Sequence, residues 1–198
     1  MCRISFAQQD SIVLPDLRSL ISAGIGFSNV QFVYTQAHVL VEQPNVNRTA
    51  INANFRPHSS VVLNAEYDLR LHKRFSVGLA WSRQSYRFDY DSCYLNDRLM
   101  AGSFSDLMVL NNFGLKTLFY PIARPYGDLY LGSRLSYTIW SIRSETGQPY
   151  RAASLFRDGI RIQGIVGYRY FFSRHFGIYL EKNFGPPFFG QLGLNSRF

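Results

Sequence analysis

The stretch "DLYLGSRLSYTIWS", residues 128–141, carries the fold in its alternation. Leu129, Leu131, Leu135, Tyr137 and Ile139 fall on one set of alternate positions, and Gly132, Arg134, Ser136 and Thr138 fall on the other. A period of two puts the sets on opposite faces of an extended strand. One face is bulky and apolar. The other is small or polar, with a cation in its middle.

The same pattern recurs along the chain. "SLISAGIGFS" (19–28) sets Ile21, Ala23, Ile25 and Phe27 against Ser22, Gly24, Gly26 and Ser28. "SVVLNAEYDLR" (60–70) sets Leu63, Ala65, Tyr67 and Leu69 against Asn64, Glu66, Asp68 and Arg70. "FSVGLAWSRQSYRFDY" (75–90), a run at 104–120 ending "NNFGLKTLFY", "DGIRIQGIVGYRYFF" (158–172), "FGIYLEKNF" (176–184) and the terminal "FFGQLGLNSRF" complete a set of eight strands. Residues 19–41 lack Asp, Glu, Lys and Arg and are long enough to cross a bilayer as a helix. Their period is nearer two than 3.6, and Ser, Asn, Gln, Thr and His interrupt them, so a spanning helix is rejected.

Composition agrees with strands. Aromatic residues reach 16% and charged residues only 17%, a balance that suits pleated sheet better than helix. The formal net charge of +8 calls for an anionic neighbour. Nucleic acid is disfavoured, because the basic residues are spread singly through the strands rather than gathered on one face. Cys2 and Cys93 make neither a disulfide framework nor a metal set, and no metal or cofactor is expected.

A soluble barrel would fill its inside with the apolar face and solvate the other with Lys, Glu and Thr. Here the polar face is Gly, Ser, Asn and Gln with isolated charges. That fits a barrel turned inside out, with lipid outside and small polar groups crowding a narrow lumen. In lipid a sheet must close, because an edge cannot stay unpaired. Long breaks at 29–59, 91–103 and 142–157 alternate with short ones at 71–74, 121–127 and 173–175, and "GPP" at 185–187 is also short. Short turns at the periplasmic rim and long loops outside put both chain ends in the periplasm.

The phrases "GLAWSRQSYRFDY", "NFGLKTLFY", "LYLGSRLSY" and "IVGYRYFF…FGIYLEKNFGPP", with a last strand carrying Leu192 and Leu194 and ending on Phe198, resemble the small bacterial outer-membrane β-barrel proteins of the OmpA, OmpX and OmpW type. The resemblance covers residues 19–198. It implies an all-β, eight-stranded antiparallel up-and-down transmembrane barrel in the outer membrane of a Gram-negative cell. It also implies that Leu192, Leu194 and Phe198 form the terminal signal read by the barrel-assembly machinery. Ser196 departs from the pattern, since an aromatic is commoner there. Residues 1–18 are expected to be a signal-peptide remnant, cleavable after Ala7, followed by a periplasmic segment.

Within the lumen, Glu66, Lys116, Arg134, Arg169 and Glu181 all fall on polar faces at similar distances from the periplasmic strand ends. They are expected to share one layer. Ionised groups in a narrow lumen must pair, so this layer reads as a salt-bridged plug. Arg143, Arg151 and Arg157 flank the third long break and are expected to bind lipopolysaccharide phosphates. Tyr86, Phe88, Tyr90, Tyr137 and Trp140 are expected to form an outer aromatic girdle, and Phe75, Tyr120, Tyr168, Phe176 and Phe198 an inner one. His72 and His175 fall in short turns. His58 with Ser59 or Ser60 is the best imitation of a nucleophile and base, but no supporting motif accompanies it and no catalytic residue is assigned. The function expected is that of a monomeric membrane scaffold displaying surface loops 29–59, 91–103 and 142–157, with outer-membrane lipid and lipopolysaccharide as partners. The alternatives are a conduit for small or hydrophobic molecules and a lipid-modifying enzyme.

Overall fold

The computed structural model describes residues 19–28, 56–95, 98–144, 157–185 and 188–198. Among them run β1 (Ser19–Ser28), β2 (Arg56–Ser59), β3 (Val62–His72), β4 (Phe75–Leu95), β5 (Arg98–Arg124), β6 (Gly127–Ser144), β7 (Gly159–Phe171), β8 (Phe176–Phe184) and β9 (Phe188–Arg197). All neighbouring pairs are antiparallel, and β4–β5 pairing closes the sheet. The short β2 continues the line of β3 along β4. At the break between them Ser60 N–H donates to the Ser85 carbonyl (2.8 Å), and Ser85 N–H donates to the Ser60 hydroxyl (2.9 Å), which stands in for a carbonyl of the ladder. The wall is therefore a closed barrel of eight staves.

The register fixes its geometry. Ladder partners followed once round the wall run Tyr170, Ile178, Leu194, Ala23, Ala65, Trp81, Phe113, Tyr137 and Ile160. The path leaves β7 at position 170 and returns to it at 160, a shear of ten residues. Closure with such a stagger requires strands tilted by roughly 35–45°. The two described ends of the chain meet at one rim, where Ser19 N–H donates to Phe198 O (3.1 Å) and Phe198 N–H donates to Ser19 O (3.0 Å).

The exterior is apolar on every stave. Ile21, Leu63, Leu79, Leu115, Leu135, Ile162, Leu180 and Leu194 are all exposed, Ile162 by 71%. A soluble protein does not leave so continuous a band uncovered. Inside, the volume is filled by close packing of large side chains over glycine. The Tyr130 ring lies where a Cβ on Gly167 would stand, with its Cζ, Oη and Cε2 the atoms met. At the short β8–β9 connection Gly185 takes a φ of 112°, a left-handed conformation natural to glycine.

The strands exceed the expected lengths, and this corrects the reading of the breaks. A membrane-spanning strand needs about 9–11 residues, whereas β4 has 21 and β5 has 27. Residues 91–103 are not a loop. They are mostly the end of a paired ribbon that runs to Leu95 opposite Arg98. The 121–127 break shrinks to a turn at Pro125–Tyr126, with a register shift between Phe119 and Ile122. Of the expected first loop, 56–59 is strand and the rest lies outside the described residues, as do residues 1–18 and most of 142–157.

Along the ribbon the alternation inverts. Up to Ser82, β4 turns Phe75, Val77 and Leu79 outward and Ser76 and Ser82 inward. Beyond it Arg83 and Arg87 are outward and exposed, while Tyr86 and Phe88 are buried inside. On β5 and β6, Met108, Leu110, Trp140 and Ile142 join Tyr86, Phe88 and Val62 in an inward apolar cluster. The strand parity is unchanged; the environment on its outer side has changed from apolar to polar. This overturns much of the expected girdles. Tyr86, Phe88 and Tyr120 are buried and Trp140 packs inward, whereas Tyr137, Phe75, Tyr168, Phe176 and Phe198 are exposed on the outside. The side chain of Tyr90 lies outside the described residues.

Candidate functional site

Inside the lumen, inward positions of six of the eight staves converge, five of them adjacent (β5 to β9) and β3 facing them. β3 supplies Glu66 and Asp68, β5 Lys116, β6 Arg134, β7 Arg169, β8 Glu181 and β9 Gln191, and each side chain is buried. Glu66 is the hub. Lys116 Nζ donates to its Oε2, and its Oε1 accepts from Arg134 Nη2 at 2.6 Å and from Gln191 Nε2 at 2.7 Å. Arg134 Nη2 also donates to Glu181 Oε1 (3.1 Å), which accepts from Gln191 Nε2 (2.6 Å). Arg169 Nη2 donates to Asp68 Oδ2, and Lys116 Nζ stands 3.4 Å from that oxygen. Three carboxylates thus face three cations, and the layer carries no formal net charge.

Tyrosines bind the layer to the wall. Tyr130 O–H donates to Glu181 Oε2 (3.2 Å), Arg169 Nη1 donates to Tyr120 Oη (2.9 Å), and the Arg169 guanidinium lies 4.5 Å from the Tyr130 ring centre. Charge-assisted bonds of this kind are roughly twice as strong as neutral ones, and a cation over a desolvated ring adds about 2 kcal/mol. Below, Arg70 Nη2 donates to Asp128 Oδ2 at 2.7 Å, with its guanidinium over Tyr120. Above, Thr138 donates to Asn112 (3.0 Å) and the apolar cluster closes over the layer.

All five lumen residues expected from the sequence, Glu66, Lys116, Arg134, Arg169 and Glu181, meet in this layer. Asp68, Gln191, Tyr120 and Tyr130 complete it. Asp68 shares the face of Glu66 in "NAEYDLR", so its parity was legible. Which cation it would meet depends on the shear.

The arginines expected at lipopolysaccharide are only partly gathered. Arg143 is exposed on the outside of β6, Arg157 is exposed just before β7, and Arg151 lies outside the described residues. Arg143 has different company: it pairs with Leu107, Leu107 with Arg87, and Arg87 with His58, all in one cross-strand row above the apolar band. Beside that row, two residues along β4, Asp89 accepts from Arg87 Nε (2.9 Å) and lies 3.7 Å from His58 Nε2. Strand alternation turns Ser59 to the face opposite His58, and the Ser60 hydroxyl donates to Val61 O, so neither hydroxyl is bonded to His58. Leu192 and Leu194 share the exposed face of β9, and Phe198 is exposed at its end. Among the described residues no group of His, Cys, Asp and Glu could hold a metal ion.

A closed eight-stave wall, an apolar exterior and a polar, charge-paired interior make the fold that of the small outer-membrane β-barrels. No family model and no curated protein matches the sequence. Solved structures share the fold at low identity. OprG from Pseudomonas aeruginosa aligns at a TM-score of 0.51 and 12% identity over 91% of this chain and 95% of that one. The N-terminal β-barrel domain of OprF from the same organism gives 0.45 and 10%, over 91% and 98%. Ail of Yersinia pestis, in complex with the heparin analogue sucrose octasulfate, gives 0.44 and 13%, over 91% and 99%.

Proposed function

We propose that the chain is a scaffold of the bacterial outer membrane whose lumen is closed and whose working surface is the β-ribbon above the bilayer. The observation that carries this is the neutral charge layer spanning the lumen, with a packed apolar cluster above it. A conduit would have to part those ion pairs, and a buried ion left without its partner costs several kcal/mol. The ribbon of β4 and β5, flanked by β2 and β6, carries polar residues outside and its own core inside, as a protein-facing or glycolipid-facing surface requires. Lipopolysaccharide is the proposed neighbour of its Arg143–Arg87–His58 row, through phosphate contacts.

Planar-bilayer recording of the refolded chain tests the reading. The expected result is no steady conductance. A stable open level in the wild type would replace the scaffold with the conduit.

A further inference from the structure

The distribution of charge points to a second lipid contact, at the opposite rim. Of the +8 formal net charge, the lumen layer contributes none, since Lys116, Arg134 and Arg169 offset Glu66, Asp68 and Glu181. The rim where the chain ends meet carries Arg70, Lys73, Arg74, Arg124, Arg174 and Arg197 against Asp128. Among the described residues, six cations against one carboxylate leave +5 there, against +8 for the whole chain.

Two of the six belong to the wall. Arg70 is paired with Asp128, and Arg197 ties two turns together by donating to Arg174 O (2.7 Å) and Pro125 O (2.8 Å). The others, Lys73, Arg74, Arg124 and Arg174, stand exposed at the three turns. Each turn brackets its cations with exposed apolar side chains: Leu71 and Phe75, Ile122 and Tyr126, Phe172 and Phe176. Aromatic and aliphatic anchors at a barrel rim mark the edge of the hydrocarbon. Cations interleaved with them lie at headgroup depth, and long basic side chains extend to reach it. A soluble partner would find these charges in the lipid border rather than clear of it.

We infer that this rim is a binding surface for the phosphates of anionic phospholipid headgroups in the adjoining leaflet. The inference rests on the membrane-spanning reading of the barrel. Basic residues near an anionic surface are attracted to it, and salt screens the attraction.

The test uses the full chain refolded in vesicles of brominated phosphatidylcholine or brominated phosphatidylglycerol. Phe176→Trp in a Trp81→Phe background puts a lipid-facing tryptophan at this rim, while Trp140 stays inside. Quenching should show phosphatidylglycerol preferred by roughly fivefold at low salt, with the preference fading at high salt. The triple change Lys73→Gln, Arg74→Gln, Arg174→Gln should abolish most of it. Only backbone oxygens of Arg74 and Arg174 serve the wall, accepting from Tyr120 N–H and Arg197 Nε, so the variant should still fold. A Phe27→Trp probe at the far rim should read no loss from the triple change. Equal affinity for the two lipids, or a preference that survives the triple change, overturns the inference while leaving the barrel intact. Absence of quenching by either lipid would overturn the membrane-spanning reading itself.

Discussion

Arg134 on β6 and Glu66 on β3 meet across the lumen, Nη2 to Oε1, at 2.6 Å. They stand 68 positions apart in the chain and are not ladder partners, so their contact crosses the interior rather than running along the wall. Through it and its neighbours, opposite sides of the barrel are tied by charge where a soluble barrel would use aliphatic packing.

Glu66 accepts from Lys116, Arg134 and Gln191, whereas Glu181 accepts from Arg134, Gln191 and Tyr130. Losing the Glu66 carboxylate charge takes the nearest partner from Lys116 and from Arg134 together and leaves the layer with an excess cation, Lys116 keeping only the longer contacts to Asp68 (3.4 Å) and Glu181 (3.8 Å). Glu66→Gln should therefore destabilise the barrel by about 3–5 kcal/mol, the cost of an uncompensated buried charge. Glu181→Gln should cost less, because Lys116 and Arg134 keep Glu66. Adding Arg134→Gln to Glu181→Gln should recover part of the loss. Urea unfolding in lipid vesicles measures these proteins and Arg134→Gln alone; strictly additive losses for Glu181→Gln and Arg134→Gln would mean the pair is not coupled.

Tyr130 and Gly167 face each other across the β6–β7 ladder. A methyl group at Gly167 would overlap the Tyr130 ring. Gly167→Ala should cost about 1–3 kcal/mol through overpacking, and Tyr130→Leu in the same protein should relieve the clash. The double-mutant cycle in vesicles should then show favourable coupling between the substitutions.

Strand count, closure and the five lumen charges were legible because they need only parity. Arg134 and Glu181 alternate with lipid-facing leucines, and no other feature is required to turn them inward. The height of a residue relative to the bilayer is not written in parity. From the sequence, Tyr86 and Phe88 belong to an outer girdle, because aromatics near a strand end usually face lipid. On β4 they follow Ser82 and Gln84 on the inward face, and the exposed Arg83 and Arg87 call for polar surroundings, not hydrocarbon, outside at that height. The length of the ribbon was hidden for a related reason: residues 91–103 lack alternation that stands out, and it is cross-strand pairing that holds them extended.

The inversion makes a prediction of its own. Leu135 and Ser141 are both outward on β6 and both exposed, one inside the apolar band and one above it. An arginine on the lipid face costs about 2–4 kcal/mol at the bilayer midplane and about 0–1 kcal/mol near the interface. Leu135→Arg should therefore impair folding into vesicles strongly, and Ser141→Arg hardly at all. Equal folding yields for the two variants would place the membrane boundary elsewhere on β6.

The end of the chain separates assembly from stability. Phe198 exchanges two backbone hydrogen bonds with Ser19, so deleting it would remove ladder bonds along with the ring. Phe198→Ala keeps both bonds and removes only the exposed aromatic side chain. If the ring is a signal for the barrel-assembly machinery, the variant should reach the outer membrane of cells at clearly reduced levels. Its urea midpoint after refolding in vesicles should shift little, because loss of a half-exposed ring at the rim costs on the order of 1 kcal/mol of apolar burial. Heat-modifiable migration of the folded barrel from isolated membranes measures the first quantity and tryptophan fluorescence the second. Normal membrane levels would remove the signalling role. A parallel loss of stability in vesicles would make Phe198 a structural anchor instead, closing the β1–β9 seam rather than addressing the chain to its membrane.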